Sequence, residues 1–234
     1  NQETLGKLVQ RLSTQLEPDS LALEVAFTNT PFLQENGFTE ETILALFIPN
    51  TYEFYWNTPA NKIANKLAKE YNKFWNEDRL TKAKAKNLTP IQVYTLASIV
   101  HKETAKVDER PDVAGVYLNR LRQDMPLQAD PTIIYAIKLR SGDFDQEIKR
   151  VFYNDLRIKS PYNTYINKGL PPGPIAMPDV SAIDAVLNAT NHDYIYFCAN
   201  PDKPGYHAFA SSYEAHQVNA KKYAEWVTKL GIDR

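Results

Sequence analysis

The 234-residue chain has one cysteine, Cys198, and eight glycines. A lone cysteine excludes an internal disulfide framework and any cysteine-rich metal site. It does not exclude a working place outside the cytoplasm, because a chain of this length can bury a core that needs no cross-links. Net charge is also nearly absent: 27 Lys+Arg against 28 Asp+Glu give a formal charge of -1. Such a chain has no global basic field, so it is expected to bind no nucleic acid. No apolar run reaches the ~20 residues that cross a bilayer. The chain opens at Asn1 with neither a methionine nor a secretory leader, and it reads as a trimmed or processed piece whose targeting segment lies elsewhere. The HExxH, GxSxG, Walker and GxGxxG patterns are missing. His192, His207 and His216 lack ligand-like spacing with acidic partners, so neither a metal nor a cofactor is expected. What the chain does have is aromatic side chains, 12% of all residues with 14 Tyr, within a globular 43% hydrophobic composition.

The first half reads as mostly helical. Leu5, Leu8, Val9, Leu12 and Leu16 recur at helical spacing after Thr4, and Pro18 ends that stripe. A second helix is expected over Leu21 to Phe27, and a short one from Thr39 through Leu46. Pro49 to Trp56 is aromatic-rich and reads as extended or strand. Thr58 as cap and Pro59 at the first helical position open a helix that carries Ile63, Leu67, Tyr71, Phe74 and Trp75 inward. Its basic far end, Arg79 to Lys86, reads as solvated. Leu88 to Ala105 carries the sharpest signal, with Thr89 as cap, Pro90 at N1 and Gln92 closing a capping box. Further helices are expected over Pro111 to Gln123 (Val113, Val116, Tyr117 and Leu121 inward), from Asp130-Pro131, and over Val180 to Ala189. Ser160 to Pro178 holds five of the fifteen prolines and reads as an ordered loop. Tyr194 to Ala199 and Tyr206 to Phe209 read as a strand pair, followed by a Ser211–Glu214 capping box and a last helix ending before Gly231. The expected class is α+β, mainly helical with a small antiparallel sheet. Residues 1–85 are expected to pack as a helical subdomain and 86–234 as the core of one continuous domain.

Chemistry concentrates at the end of the 88–105 helix. Glu103 lies seven beyond Leu96, four beyond Ile99 and three beyond Val100, so it continues the apolar stripe. Burial and the negative helix end both raise a carboxyl pKa there. A carboxyl kept protonated near neutral pH is what glycosidic cleavage needs from a general acid. The same spacing also fits a helix-end residue turned to water, or paired with Lys106 or Arg110. His101 is about 200° away around the helix, so it faces elsewhere. His101-Lys102-Glu103 matches the H-x-E of zinc deaminases, but their P-C-x-x-C is absent. Cys198 reads as a small core hydrophobe in a strand. Gln128 and Asp130 precede a helix, where Asp130 fits an N-cap. Tyr162, Asn163 and Tyr165 sit among prolines that would hold them rigid. Aromatic faces with amides suit a sugar groove, and they equally suit a packed structural loop.

These stretches together resemble a known family. Leu96-Ala97-Ser98-Ile99-Val100-x-x-Glu103-Thr104, then Val113-Ala114-x-Val116-Tyr117-Leu118-Asn119-Arg120-Leu121, are similar to the YceG-like endolytic murein transglycosylases. So are Met125-Pro126-Leu127-Gln128-Ala129-Asp130-Pro131-Thr132, Tyr162-Asn163-Thr164-Tyr165, Gly169-Leu170-Pro171-Pro172-Gly173-Pro174-Ile175 and Gly205-Tyr206-His207-x-Phe209. The likeness is dense from Leu88 to Phe209. It is looser upstream, where Phe47 to Phe54 still matches.

The resemblance implies a lytic-transglycosylase-like catalytic helix ending in Glu103. It implies internal cutting of peptidoglycan strands between N-acetylmuramic acid and N-acetylglucosamine, with 1,6-anhydro ends. Glu103 would act first as acid and then as base. The substrate side would fall to Gln128, Asp130, Thr132, Tyr162, Asn163, Thr164, Tyr165 and His207, and Tyr52 is a further groove candidate. The resemblance also implies a catalytic domain facing the periplasm from the inner membrane, with cell-wall synthases as partners. The family's membrane helix and LysM-like module are not in this stretch, and His101 stands where members commonly have an acid. Two other readings stay open: a two-carboxylate glycoside hydrolase using Asp130 or Asp155, and a non-catalytic glycan-binding scaffold of the cell wall.

Overall fold

Side-chain caps set most helix starts in the computed structural model, which describes residues 1–229. The Thr4 hydroxyl accepts from the Lys7 amide at 3.2 Å and opens α1 (Leu5–Ser13). Asp19 opens α2 (Ser20–Thr28) in the same way. Asn29 opens α3 (Thr30–Asn36), which ends at left-handed Gly37. Of the two readings of Pro49 to Trp56, extended or strand, no strand forms. That segment has no partner strand, and Tyr55 and Trp56 project outward. The expected helix from Thr39 shrinks to a 3-10 turn, Ile43–Leu46, and the Thr42 hydroxyl accepts from the Thr39 amide at 2.8 Å ahead of it.

In α4 (Ala60–Phe74), Pro59 takes the cap position rather than N1, and the Thr58 hydroxyl turns back to the Tyr55 carbonyl at 2.7 Å. α5 spans Glu77–Ala85. Its basic stretch is only partly solvated, since Arg79 stacks on Phe74 and pairs with Asp184 at 3.1 Å. α6 (Pro90–Glu103) has the expected capping box between Thr89 and Gln92. It ends at Glu103, as the motif implied. α7 (Arg110–Arg122), α8 (Asp130–Ser141) and α9 (Val180–Leu187) follow.

The strand pair is β1 (Tyr196–Ala199) with antiparallel β2 (His207–Ala210), in the register Phe197 opposite Phe209. α10 (Tyr213–Lys229) covers this two-stranded ribbon, which could not stand alone in water. The cap of α10 is Ser212, accepting from the Ala215 amide at 3.2 Å, one residue later than the expected Ser211 box. The expected end of this helix before Gly231 lies outside the described residues. Cys198 is half-buried in β1 rather than part of the core.

The chain is therefore mainly helical α+β with a small antiparallel sheet. α6 runs through its centre, packed on α5, α7, α8 and α9. Every residue from Val93 to Val100 is buried, so the helix is enclosed on all sides. Tyr94 donates to the Phe47 carbonyl at 2.8 Å, and the Ser98 hydroxyl accepts from the Ile175 amide at 3.0 Å. These bonds fasten the helix to the segments that wrap it.

The 160–178 stretch forms no helix or strand and is ordered by such contacts. Gly173 sits where an added Cβ would fall 2.0 Å from the Glu41 carbonyl oxygen. Backbone cannot yield there as a flexible side chain could. Gly173→Ala is expected to destabilise the fold by about 2–3 kcal/mol, lowering the melting temperature by roughly 4–12 °C for a chain of this size. A melt within a degree of wild type would show that the loop can move aside.

Candidate active site

Glu103 is the last residue of α6 and reaches a cavity of about 190 Å3. α7 contributes Tyr117 and Arg120, the 127–130 segment Leu127, Gln128 and Asp130, the proline-rich loop Tyr165, and β1 Phe197. The Tyr117 hydroxyl donates to Glu103 Oε1 at 2.6 Å. Oε2 accepts no hydrogen bond from the described residues. Burial pushes the Glu103 carboxyl up to about 7; the Tyr117 bond opposes this, the Asp130 charge adds to it, and Arg120 opposes it more weakly. Neither alternative partner reaches Glu103. Arg110 binds Ser181 at 2.6 Å and Asp179 at 3.4 Å, and Lys106 lies over the Tyr206 ring. His101 turns away from Glu103 as the helical angle requires, with Nδ1 3.3 Å from Asp179 and 3.3 Å from Arg110.

Arg120 is only 8% exposed. Its Nε donates to the Ile195 carbonyl at 2.7 Å. Nη1 donates to the Leu127 carbonyl at 2.8 Å and, at 3.2 Å, to the Pro126 carbonyl and Gln128 Oε1. One guanidinium thus joins α7, the strand entry and the Gln128 segment. Gln128 itself has a φ of 54°, a strained left-handed backbone for a non-glycine residue. Its amide is held by the Thr164 carbonyl at 3.0 Å. Phe197 packs edge-on against Tyr117 with 5.8 Å between ring centroids.

Of the expected substrate-side residues, Gln128, Asp130 and Tyr165 reach the cavity with Glu103. Asp130 is not an N-cap: Ala129 holds that position, and the Asp130 carboxylate accepts from the Tyr165 hydroxyl at 2.6 Å. Four others are buried beneath the surface and do not line the cavity. Tyr162 packs on Tyr135, 4.7 Å between ring centroids, because its ring completes the core. Asn163 spends its amide on the Leu156 and Ile158 carbonyls at 3.0 and 2.8 Å and receives the Tyr165 amide at 2.8 Å. The Thr164 hydroxyl receives the Ala129 amide at 3.0 Å and meets Thr132 at 2.9 Å. Buried polar groups must be paired, and these pairs hold Asp130 and Tyr165 from below. His207 stands behind Phe197, with Nδ1 2.8 Å from buried Glu109. Tyr52 is remote, its hydroxyl on the Ile48 carbonyl at 2.6 Å. Asp155 is likewise elsewhere, capping the Phe152 amide at 2.8 Å.

Tyr117, Arg120 and Phe197 were not expected here. A signal for two of them exists: Val113, Tyr117 and Arg120 fall at i, i+4 and i+7, so an arginine continues an inward apolar stripe. A buried arginine that binds backbone carbonyls marks a braced site.

The YceG-like family model matches residues 1–222. Two proteins named endolytic murein transglycosylase align over three quarters of the chain. One, from Streptococcus pneumoniae serotype 2, is 36% identical over 177 residues. The other, from Bacillus subtilis, is 35% identical over 176 residues. The chain spans 31% and 46% of their respective lengths. A crystal structure of a YceG-like protein from Listeria monocytogenes superposes with a TM-score of 0.70 at 28% identity, over 92% of this chain and 71% of that one. A family model spanning nearly the whole chain, relatives above one third identical and a shared fold carry one conclusion: the chain belongs to the YceG-like family.

Proposed function

We propose that this chain is the catalytic region of an endolytic peptidoglycan lytic transglycosylase, acting on murein outside the cytoplasmic membrane. The observation that carries this reading is the Glu103 carboxyl, hydrogen-bonded by Tyr117 at the end of an enclosed helix, where burial holds it above the usual carboxylate range. The name shared by the aligned relatives supports the substrate class. Among the described residues no helix is long and apolar enough to cross a membrane. A membrane anchor and synthase partners belong to the proposal only as properties of a longer protein.

Tyr117 occupies Oε1, which leaves the acidic proton to Oε2. That proton passes to the glycosidic oxygen as the C1–O4 bond breaks. The positive charge developing at C1 lies near the Asp130 and Glu103 carboxylates. Glu103, now ionised, takes the proton of the C6 hydroxyl as its oxygen bonds to C1. The 1,6-anhydro ring closes, and Glu103 is returned to its acid form. The sugar supplies its own nucleophile, so no second catalytic carboxylate is required.

Asp130 in the same cavity favours one competing reading, a two-carboxylate hydrolase. Mass spectrometry of fragments released from purified peptidoglycan separates the two. The transglycosylase yields anhydro ends lighter by one water than hydrolytic ends. Exclusive release of reducing ends would overturn the proposal in favour of Asp130-assisted hydrolysis. No release at all would favour a glycan-binding scaffold.

A further inference from the structure

A second cavity, of about 940 Å3, lies across α7 from Glu103. On that helix Tyr117 and Arg120 face the Glu103 cavity, whereas Gly115, Asn119 and Arg122 line the second one. At 100° per residue Gly115, Asn119 and Arg122 lie about 140–160° round the helix from Tyr117. The second cavity has an apolar floor that includes Ile91, Leu118 and Leu170, and two cations, Lys86 and Arg122, with no carboxylate in its lining. Lys82 nearby pairs with Asp78 at 2.8 Å. Neither Lys86 nor Arg122 has an ion-pair partner among the described residues. The Arg122 guanidinium hydrogen-bonds the Asn119 amide oxygen, which orients it without cancelling its charge. Burial, with repulsion from Arg122 and Lys82, holds the Lys86 ammonium below the usual lysine range. An anion bound between Lys86 and Arg122 would relieve that repulsion.

We infer that this second cavity binds the carboxylate-bearing peptide stem of the glycan whose sugar reacts at Glu103. The inference rests on the murein reading above. A stem of four or five residues extends roughly 13–18 Å, against a diameter of about 10–12 Å for α7 with its side chains. The stem's methyl groups meet the apolar floor, and its free carboxylates meet Lys86 and Arg122. Binding remote from the scissile bond would then hold the strand in register over Glu103.

The test uses the double variant Lys86→Gln/Arg122→Gln, outside the catalytic cavity, after its melt has been matched to wild type. Turnover is compared on strands with stems intact and on the same strands stripped of peptide by an amidase. With stems intact, KM is expected to rise about tenfold, the loss of charge-assisted bonds to carboxylate, with kcat unchanged. On stripped strands wild type and variant should be equal. An equal effect on both substrates, or none on either, overturns the inference. Calorimetric titration of the amidase-released stem peptide reads the site without turnover. Wild type should bind it, and the double variant should not. The same peptide with its carboxylates amidated should bind neither protein. Absence of stem binding to wild type overturns this inference alone, whereas absence of turnover on both strand types, with stem binding intact, overturns the lytic-transglycosylase reading alone.

Discussion

Glu103→Gln is expected to lower fragment release by roughly 10²–10⁴-fold, because the amide can neither give nor take the proton in either step. The fold should survive, since glutamine keeps the size of the side chain and its amide oxygen can still accept from Tyr117. Two pH signatures accompany this. The first step needs the acid form of Glu103, so wild-type turnover should decline as pH rises through about 7, where the carboxyl loses its proton. Stability carries the second. The carboxyl is raised from the usual 4.5 to about 7 in the fold, so between those values the folded state binds more protons than the unfolded chain. Wild-type stability therefore falls as pH rises through that window, by at most about 3 kcal/mol once the group is fully ionised. The variant has no such group. Melting curves from pH 5 to 8 should show the variant gaining on wild type as pH rises. Parallel curves would mean that Glu103 is not held in its acid form by burial, and a variant that cleaves at the wild-type rate would remove Glu103 from the mechanism.

Arg120→Ala carries the second large effect. Its guanidinium satisfies three backbone carbonyls from two separate segments and the Gln128 side chain. Alanine leaves buried acceptors without partners, and removing one member of a buried charged network costs about 3–5 kcal/mol. The melting temperature should fall by roughly 6–20 °C. Turnover of the molecules that remain folded should fall as well, because Gln128 and Asp130 lose the brace that sets their positions. Arg120→Lys keeps the charge but cannot span the same carbonyls, so it should rescue little of either loss. A denaturation midpoint for the alanine variant close to wild type would show that the carbonyls find other partners and that Arg120 is not the brace.

Much of the helical framework was readable in advance because its signals are local. Thr89, Pro90 and Gln92 specify the start of α6 within one turn, and Glu103 follows from the same helical count. The strand pair was readable from its alternating aromatics and the turn between them. Local signals failed where a neighbour was needed. Pro49 to Trp56 has strand composition, but no second strand lies beside it. Thr58-Pro59 matches a cap pattern, but the threonine turned back to Tyr55. The seven-residue α3 was overlooked although Asn29, Pro31 and Gly37 mark its ends.

The site divides in the same way. Sequence alone determined that a carboxylate ends an apolar helix and that amides and tyrosines gather in a rigid loop. It could not sort those loop residues, because Tyr162, Asn163, Thr164 and Tyr165 are alternately suited to a core and to a groove. Tertiary structure sent Asn163 and Thr164 inward, where buried carbonyls and amides required partners, and left Tyr165 with Asp130 at the surface. It also brought in Tyr117, Arg120 and Phe197. The Leu96, Ile99 and Val100 stripe could not by itself aim Glu103, since α6 is buried on every side. Packing of α7 and β1 against the end of α6 made the cavity that Glu103 reaches. Helix caps and periodicity act over a few residues, whereas the burial that raises the Glu103 pKa and the hydroxyl that locks its orientation exist only where separate elements meet.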